Sequence, residues 1–116
     1  MQCSVIFSTY NQPEWLRKTL LGFAAQDRHD FEVVVADDGS RDDTRELIED
    51  LRPGLPFALQ HVWQADEGFQ KCRILNKAIR ASRADYLLFT DGDCIPRRDF
   101  VSTHLRLREP GRFLSG

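Results

Sequence analysis

The stretch Phe31-Glu32-Val33-Val34-Val35-Ala36-Asp37-Asp38-Gly39-Ser40 decides the fold. Its first six residues are nearly unbroken in apolar character and rich in valine. That suits a strand covered on both faces, as in a parallel sheet, better than an alternating half-exposed strand. It then stops on two carboxylates and a glycine. The segment that follows, Asp42–Leu51, has helical period. Gly39-Ser40 is placed to cap that helix, and Asp42 and Asp43 favour its positive end. Arg52-Pro53-Gly54 terminates it.

The same alternation continues in both directions. Cys3 to Phe7, Phe57 to Trp63 and Tyr86 to Thr90 also have strand character. Between them, Pro13–Ala25 carries Trp15, Leu16, Leu20, Phe23 and Ala24 as a broad apolar stripe, with Pro13 suited to a first helical turn. Phe69–Ala84 places Cys72, Leu75, Ile79 and Ala78 on one side. Its basic residues Lys71, Lys77, Arg80 and Arg83 lie mostly elsewhere, as on a solvated face. Asp99–Arg108 reads as a fourth helix, stopped by Glu109-Pro110-Gly111, and a fifth strand starts at Phe113. Strand and helix in strict alternation predict an α/β fold: an open, mostly parallel sheet with flanking helices, Rossmann-like. In such sheets ligands bind beyond the carboxyl ends of the strands.

With 116 residues the chain is one domain or part of one. The final residues, Arg112 to Gly116, read like an element beginning, so residues 1–116 are expected to be a truncated domain. A hydrophobic content of 41% supports a core. Sixteen Lys and Arg against eighteen Asp and Glu give a formal net charge of −2, so no overall basic field points to nucleic acid. Cys3, Cys72 and Cys94 show no metal-binding spacing and read as free thiols. The amino terminus has no basic region and only the short apolar run Val5-Ile6-Phe7. A cytoplasmic chain is expected, with membrane association only through sequence outside it.

Chemistry is therefore sought at the strand ends. After the first strand comes Ser8-Thr9-Tyr10-Asn11-Gln12-Pro13, with no glycine until Gly22, so dinucleotide and phosphate-loop signatures both fail. A helix-capping turn is the plain reading there, although Thr9 and Tyr10 offer a hydroxyl and an aromatic face to a base. Asp37 and Asp38 repel each other unless something uses them. One can accept hydrogen bonds from a base or ribose, and the other can cap the next helix. After the fourth strand, Asp91-Gly92-Asp93 puts two carboxylates on one side of an extended segment. Hard oxygens so placed suit Mg2+ or Mn2+ shared with a diphosphate. Arg73, Asn76 and Lys77 are candidates for touching phosphate, each set against the plain reading of a solvated helix face. Trp63 reads as packing, and His29, His61 and His104 as ordinary surface or boundary residues.

Four blocks, VIFSTYNQPEWL, VVVADDGSRDDT, DEGFQKCRILNKAI and YLLFTDGDCIP, resemble the family 2 glycosyltransferases in order and spacing. The third and fourth look most like a bacterial branch that builds polysaccharides. The resemblance implies the nucleotide-sugar-binding half of a GT-A fold. It also implies an inverting, metal-dependent transfer of a sugar from a nucleotide diphosphate sugar, of UDP type, to a saccharide acceptor. Carried over by residue, Thr9 and Tyr10 lie beside the base, Asp38 reads it, and Asp37 is its neighbour. Asp93 is the direct ligand of Mn2+ or Mg2+, with Asp91 leaning toward ribose or sugar. Arg73 and Asn76 fall in the block that often reads ARN-x-G, although Leu75 stands where arginine is often found. Ser8 stands where proline is commoner. The family's general base lies in a second half, so no catalytic base is assigned in this chain, which is expected to transfer little sugar alone. Competing readings are a receiver-type phosphoacceptor domain using Asp37, Asp38 and Asp91, a haloacid-dehalogenase-type phosphatase using Asp91, and a plain nucleotide-binding module.

Overall fold

The structure is a computed structural model, and it describes residues 3–65, 71–90, 95–107 and 114–115. Five strands form a single parallel sheet: β1 Cys3–Thr9, β2 Phe31–Asp37, β3 Ala58–Trp63, β4 Leu87–Phe89 and β5 Leu114–Ser115. Four α-helices lie between them: α1 Pro13–Ala24, α2 Asp42–Leu51, α3 Lys71–Ala81 and α4 Phe100–Leu107. A short 3-10 turn, Arg52–Gly54, ends α2, where Pro53 cannot continue the helical hydrogen bonding. The expected α/β, Rossmann-like architecture is thus the observed one. The strand order is β3-β2-β1-β4-β5. That is the dinucleotide-fold order, and it differs from the 2-1-3-4-5 order of the flavodoxin-like sheet that receiver domains share.

Side-chain alternation along the strands builds two cores. On one face Cys3, Val5, Phe7, Val33, Val35, Leu59 and Leu88 pack against α1, α2 and α4 through Leu16, Leu20, Phe23, Ile48, Val101 and Leu105. On the other, Ile6, Val34, Ala36 and Leu87 meet Ile74 and Ala78 of α3. With strands covered on both sides, β2 is buried along its full length, which is why its sequence lacks alternation.

Two helical stripes are narrower than the sequence suggests. In α1 the buried set is Leu16, Thr19, Leu20 and Phe23, and Trp15 is 43% exposed. At 100° per residue Trp15 falls off the stripe, and the Lys18 ammonium sits 5.1 Å from its ring centroid instead. In α3 the buried stripe runs through Ile74 and Ala78, one step from the expected side. Leu75 packs at its edge, Cys72 is exposed and Ile79 partly so. Among the described residues no helix is long and apolar enough to cross a membrane.

At the amino-terminal end of the sheet the buried Glu32 carboxylate is bound by its own chain. Ser4 Oγ donates to it at 2.6 Å, Gln60 Nε2 at 2.8 Å, the Arg83 backbone N–H at 2.6 Å and Arg83 Nε at 3.2 Å. Burial disfavours its charge. The hydrogen bonds from Arg83, Ser4 and Gln60 outweigh that and hold its pKa below the usual carboxylate range. This knot joins β1, β2, β3 and the segment after α3.

Candidate functional site

The opposite, carboxyl-terminal end of the sheet is where the loops gather. Thr9, Asp37 and Trp63 stand in register at the ends of β1, β2 and β3. Strand order reverses between β1 and β4, so the crevice for a ligand is expected beside Thr9 and Tyr10. Tyr10 is exposed there.

The first two loops are latched together. Asn11 adopts a left-handed backbone, φ 48°, which asparagine tolerates better than most residues. In that pose its N–H donates to Ser40 Oγ at 2.8 Å, and its Oδ1 accepts from the Arg41 N–H at 2.8 Å. The Asp38 N–H donates to the Thr9 carbonyl at 3.2 Å. Gly39 takes φ 88°, which only glycine adopts without strain, and so turns the chain after Asp38. Ser40 does not cap α2 as the sequence suggests. Arg41 is the N-cap residue, without a side-chain cap bond, and the Ser40 hydroxyl accepts from the Asn11 N–H instead.

The acidic pair separates into two roles. Asp37 is buried: its Oδ1 accepts from the Ser40 N–H at 2.9 Å, and its Oδ2 lies 2.7 Å from Nε2 of His61. Asp37 therefore braces the turn. Asp38 Oδ1 accepts from Gln64 Nε2 at 2.8 Å. His61 is at the boundary of the core, as the sequence suggests, but it has a partner there that the sequence did not show, the Asp37 carboxylate. Trp63 is not packing either. It is 52% exposed, and its indole N–H donates to the Ser40 carbonyl at 3.1 Å.

Sequence reasoning passed over Asn11, Ser40, His61 and Gln64 as parts of this end. A usable signal was present in β3, where Gln60 and His61 are polar and half-buried on the edge strand beside β2. Buried polar side chains there must find partners.

Arg73 and Asn76 lie in the first two turns of α3, both exposed. Asp91 and Asp93 lie outside the described residues, as does the block from Asp66 to Gln70. Described residues bracket the acidic motif on both sides. Before it, the Thr90 N–H bonds to the Ile6 carbonyl at 3.1 Å. After it, Gln26, buried in the turn beyond α1, donates to the carbonyls of Gly22 and Arg97, and its Oε1 accepts from the Val101 N–H. Gly22 allows this approach, since a Cβ there would lie 2.7 Å from Cδ of Pro96. Among the described residues no three His, Cys, Asp or Glu side chains gather as a metal site.

The family model described as "Glycosyl transferase family 2" matches residues 4–112. The uncharacterized glycosyltransferase YfnE of Bacillus subtilis is 34% identical over 110 residues, which are 94% of this chain and 27% of that protein. The structure of S. aureus TarS in complex with UDP-GlcNAc superposes with a TM-score of 0.75 at 30% identity, covering 91% of this chain and 30% of that one. A mannosyltransferase from Pyrobaculum calidifontis, in complex with GDP-Man and Mn2+, gives a TM-score of 0.79 at 31% identity, with coverages of 94% and 33%. The chain thus spans about a quarter to a third of the length of these proteins.

Proposed function

The chain belongs to glycosyl transferase family 2, and on that premise we propose that it binds the nucleotide diphosphate sugar donor. The donor is of UDP type. The reaction is transfer of its hexosyl group, with inversion, to a saccharide acceptor in the intact protein. The observation that carries this reading is the latched pair of loops after β1 and β2, beside the sheet's switch point. Asn11, Ser40 and Arg41 hold the Thr9–Tyr10 loop against the Asp37–Ser40 turn. Relatives of the same fold bind UDP-GlcNAc and GDP-Man, which supports a nucleotide sugar here.

In this reading Thr9 and Tyr10 flank the base, and Asp38 accepts a hydrogen bond from it. Asp37 keeps the turn in shape. Arg73 and Asn76, at the start of α3, face the diphosphate side. Asp91 and Asp93 would hold a Mn2+ or Mg2+ ion, since two carboxylates flanking a glycine at the end of β4 are a hard-oxygen donor set. Such an ion supplies the positive charge that lets carboxylates and a diphosphate share one site. The Mn2+ in the mannosyltransferase complex favours the same chemistry. The acceptor hydroxyl attacks the anomeric carbon, the bond to the diphosphate oxygen breaks, and the hydroxyl proton passes to a general base.

Calorimetry with UDP, GDP and CDP, with and without Mn2+, tests the proposal. The expected outcome is Mn2+-dependent UDP binding, weakened at least about tenfold in Asp38→Ala through loss of one hydrogen bond to a charged group. A folded protein that binds no nucleotide under either condition would sink it.

A further inference from the structure

Asp38 can read a base only if its carboxylate is held in one orientation, and the structure contains a device for that. Gln64, the residue after β3, is buried, and its side-chain Nε2 donates to Asp38 Oδ1 at 2.8 Å. Its own N–H donates to the Asp37 carbonyl at 3.1 Å, so the backbone that carries the amide is tied to the turn it serves. The preceding residue closes on the same turn through the bond from Trp63 Nε1 to the Ser40 carbonyl. From the other side, the Asp38 N–H is fixed to the Thr9 carbonyl. Both the backbone and the side chain of Asp38 are thus tethered.

We propose that Gln64 is a positioning residue for base selection: its amide locks the Asp38 carboxylate as a fixed acceptor. The inference rests on the donor-site reading of Asp38. A terminal carboxylate torsion is broad when nothing restrains it, and a donor on one oxygen removes that freedom. An ionised carboxylate only accepts hydrogen bonds. A fixed acceptor therefore favours bases that present a ring N–H, such as uracil and guanine, and disfavours cytosine, whose corresponding ring nitrogen is itself an acceptor. Gln64 does this without touching the base.

The test compares UDP and CDP affinities by calorimetry in the unaltered protein, Gln64→Met and Gln64→Glu, with thermal melting of each. Gln64→Met keeps the volume and removes the donor. It is expected to weaken UDP about tenfold, the worth of the one hydrogen bond between the base and a charged acceptor that is no longer held in place, while CDP binding stays where it is. Gln64→Glu sets a second carboxylate against Asp38 and is expected to weaken UDP further. The UDP-to-CDP ratio is the decisive readout, because a role confined to packing would lower both affinities together. A ratio unchanged in Gln64→Met overturns the inference, as does an unaltered protein that binds UDP and CDP equally. A protein that binds neither overturns the donor-site reading itself. A measurement free of variants follows the Gln64 side-chain amide proton resonances during titration. They are expected to shift with UDP and not with CDP, and the same response to both would also overturn the proposal.

Discussion

Strand β2 carries a buried carboxylate at each end, Glu32 at its entrance and Asp37 at its exit, and the surroundings of the two differ. Around Glu32 the donors come from elements that need joining: Ser4 on β1, Gln60 on β3, and Arg83 beyond α3. The knot serves the sheet. Around Asp37 the partners are a turn N–H and one histidine, and the next residue brings a second carboxylate to the same rim. Near it stand a left-handed Asn11, a left-handed Gly39 and the exposed rings of Tyr10 and Trp63. A buried charge therefore does not by itself mark a site. What marks the exit end is a braced carboxylate beside a second one, on loops turned by left-handed residues and latched together, where an α/β sheet opens to ligands.

The largest effect is expected at the entrance. Glu32→Ala deprives the buried Ser4 hydroxyl and the half-buried Arg83 N–H of their acceptor, and about 2–5 kcal/mol of stability is lost, at about 1–3 kcal/mol for each polar group stranded. Urea unfolding measures it. A loss below about 1 kcal/mol, the net worth of one ordinary hydrogen bond, would mean the knot is incidental and the contrast between the two ends false.

A smaller loss is expected at the exit. His61→Phe keeps a ring in β3 and removes the partner of Asp37 Oδ2. Stability falls by about 1–3 kcal/mol, the cost of stranding one buried polar group. UDP affinity falls with it only as far as the turn carrying Asp38 loosens. If UDP binding disappears while urea unfolding is unmoved, His61 touches the ligand, and Asp37 is no mere brace.

The sheet was legible in the sequence because burial on both faces writes itself as unbroken apolar runs. FEVVVA and YLLFT needed no tertiary knowledge to be placed as inner strands. Helix faces were less legible. Trp15 and Ile79 are as apolar as their neighbours, and only the observed rotation of α1 and α3 on the sheet separates them from the buried stripes. The carboxylates at the strand ends were visible as a pattern, but the division of labour between Asp37 and Asp38 was not. It depends on His61 and Gln64, which lie more than twenty residues away and reach the pair only through β2–β3 pairing. Ser40 was misassigned for the same reason. A serine before a helix usually caps it, and here Asn11 competes for the hydroxyl across the loops.

Acid titration separates the two ends by the mildest perturbation. Glu32 has a pKa below that of an unfolded glutamate, about 4.3, so its contribution is complete above that pH and is lost as pH falls through its lower folded value. His104 on α4 contributes earlier. Burial, helped by the nearby Arg97 charge, lowers its pKa, so the unfolded chain takes up the proton first, and stability starts to fall below about pH 6.5. Glu32→Gln keeps the shape of the side chain, and it abolishes the lower limb while leaving the upper one. Plotted against pH, the stability gap between the unaltered protein and Glu32→Gln should be flat down to about pH 5 and then close as Glu32 is protonated in the native state. A gap that keeps its full width down to pH 3 would mean that hydrogen bonding to the shape of the group, and not to its charge, holds the entrance together. No gap at any pH would mean instead that a neutral amide holds the sheet as well as the carboxylate does.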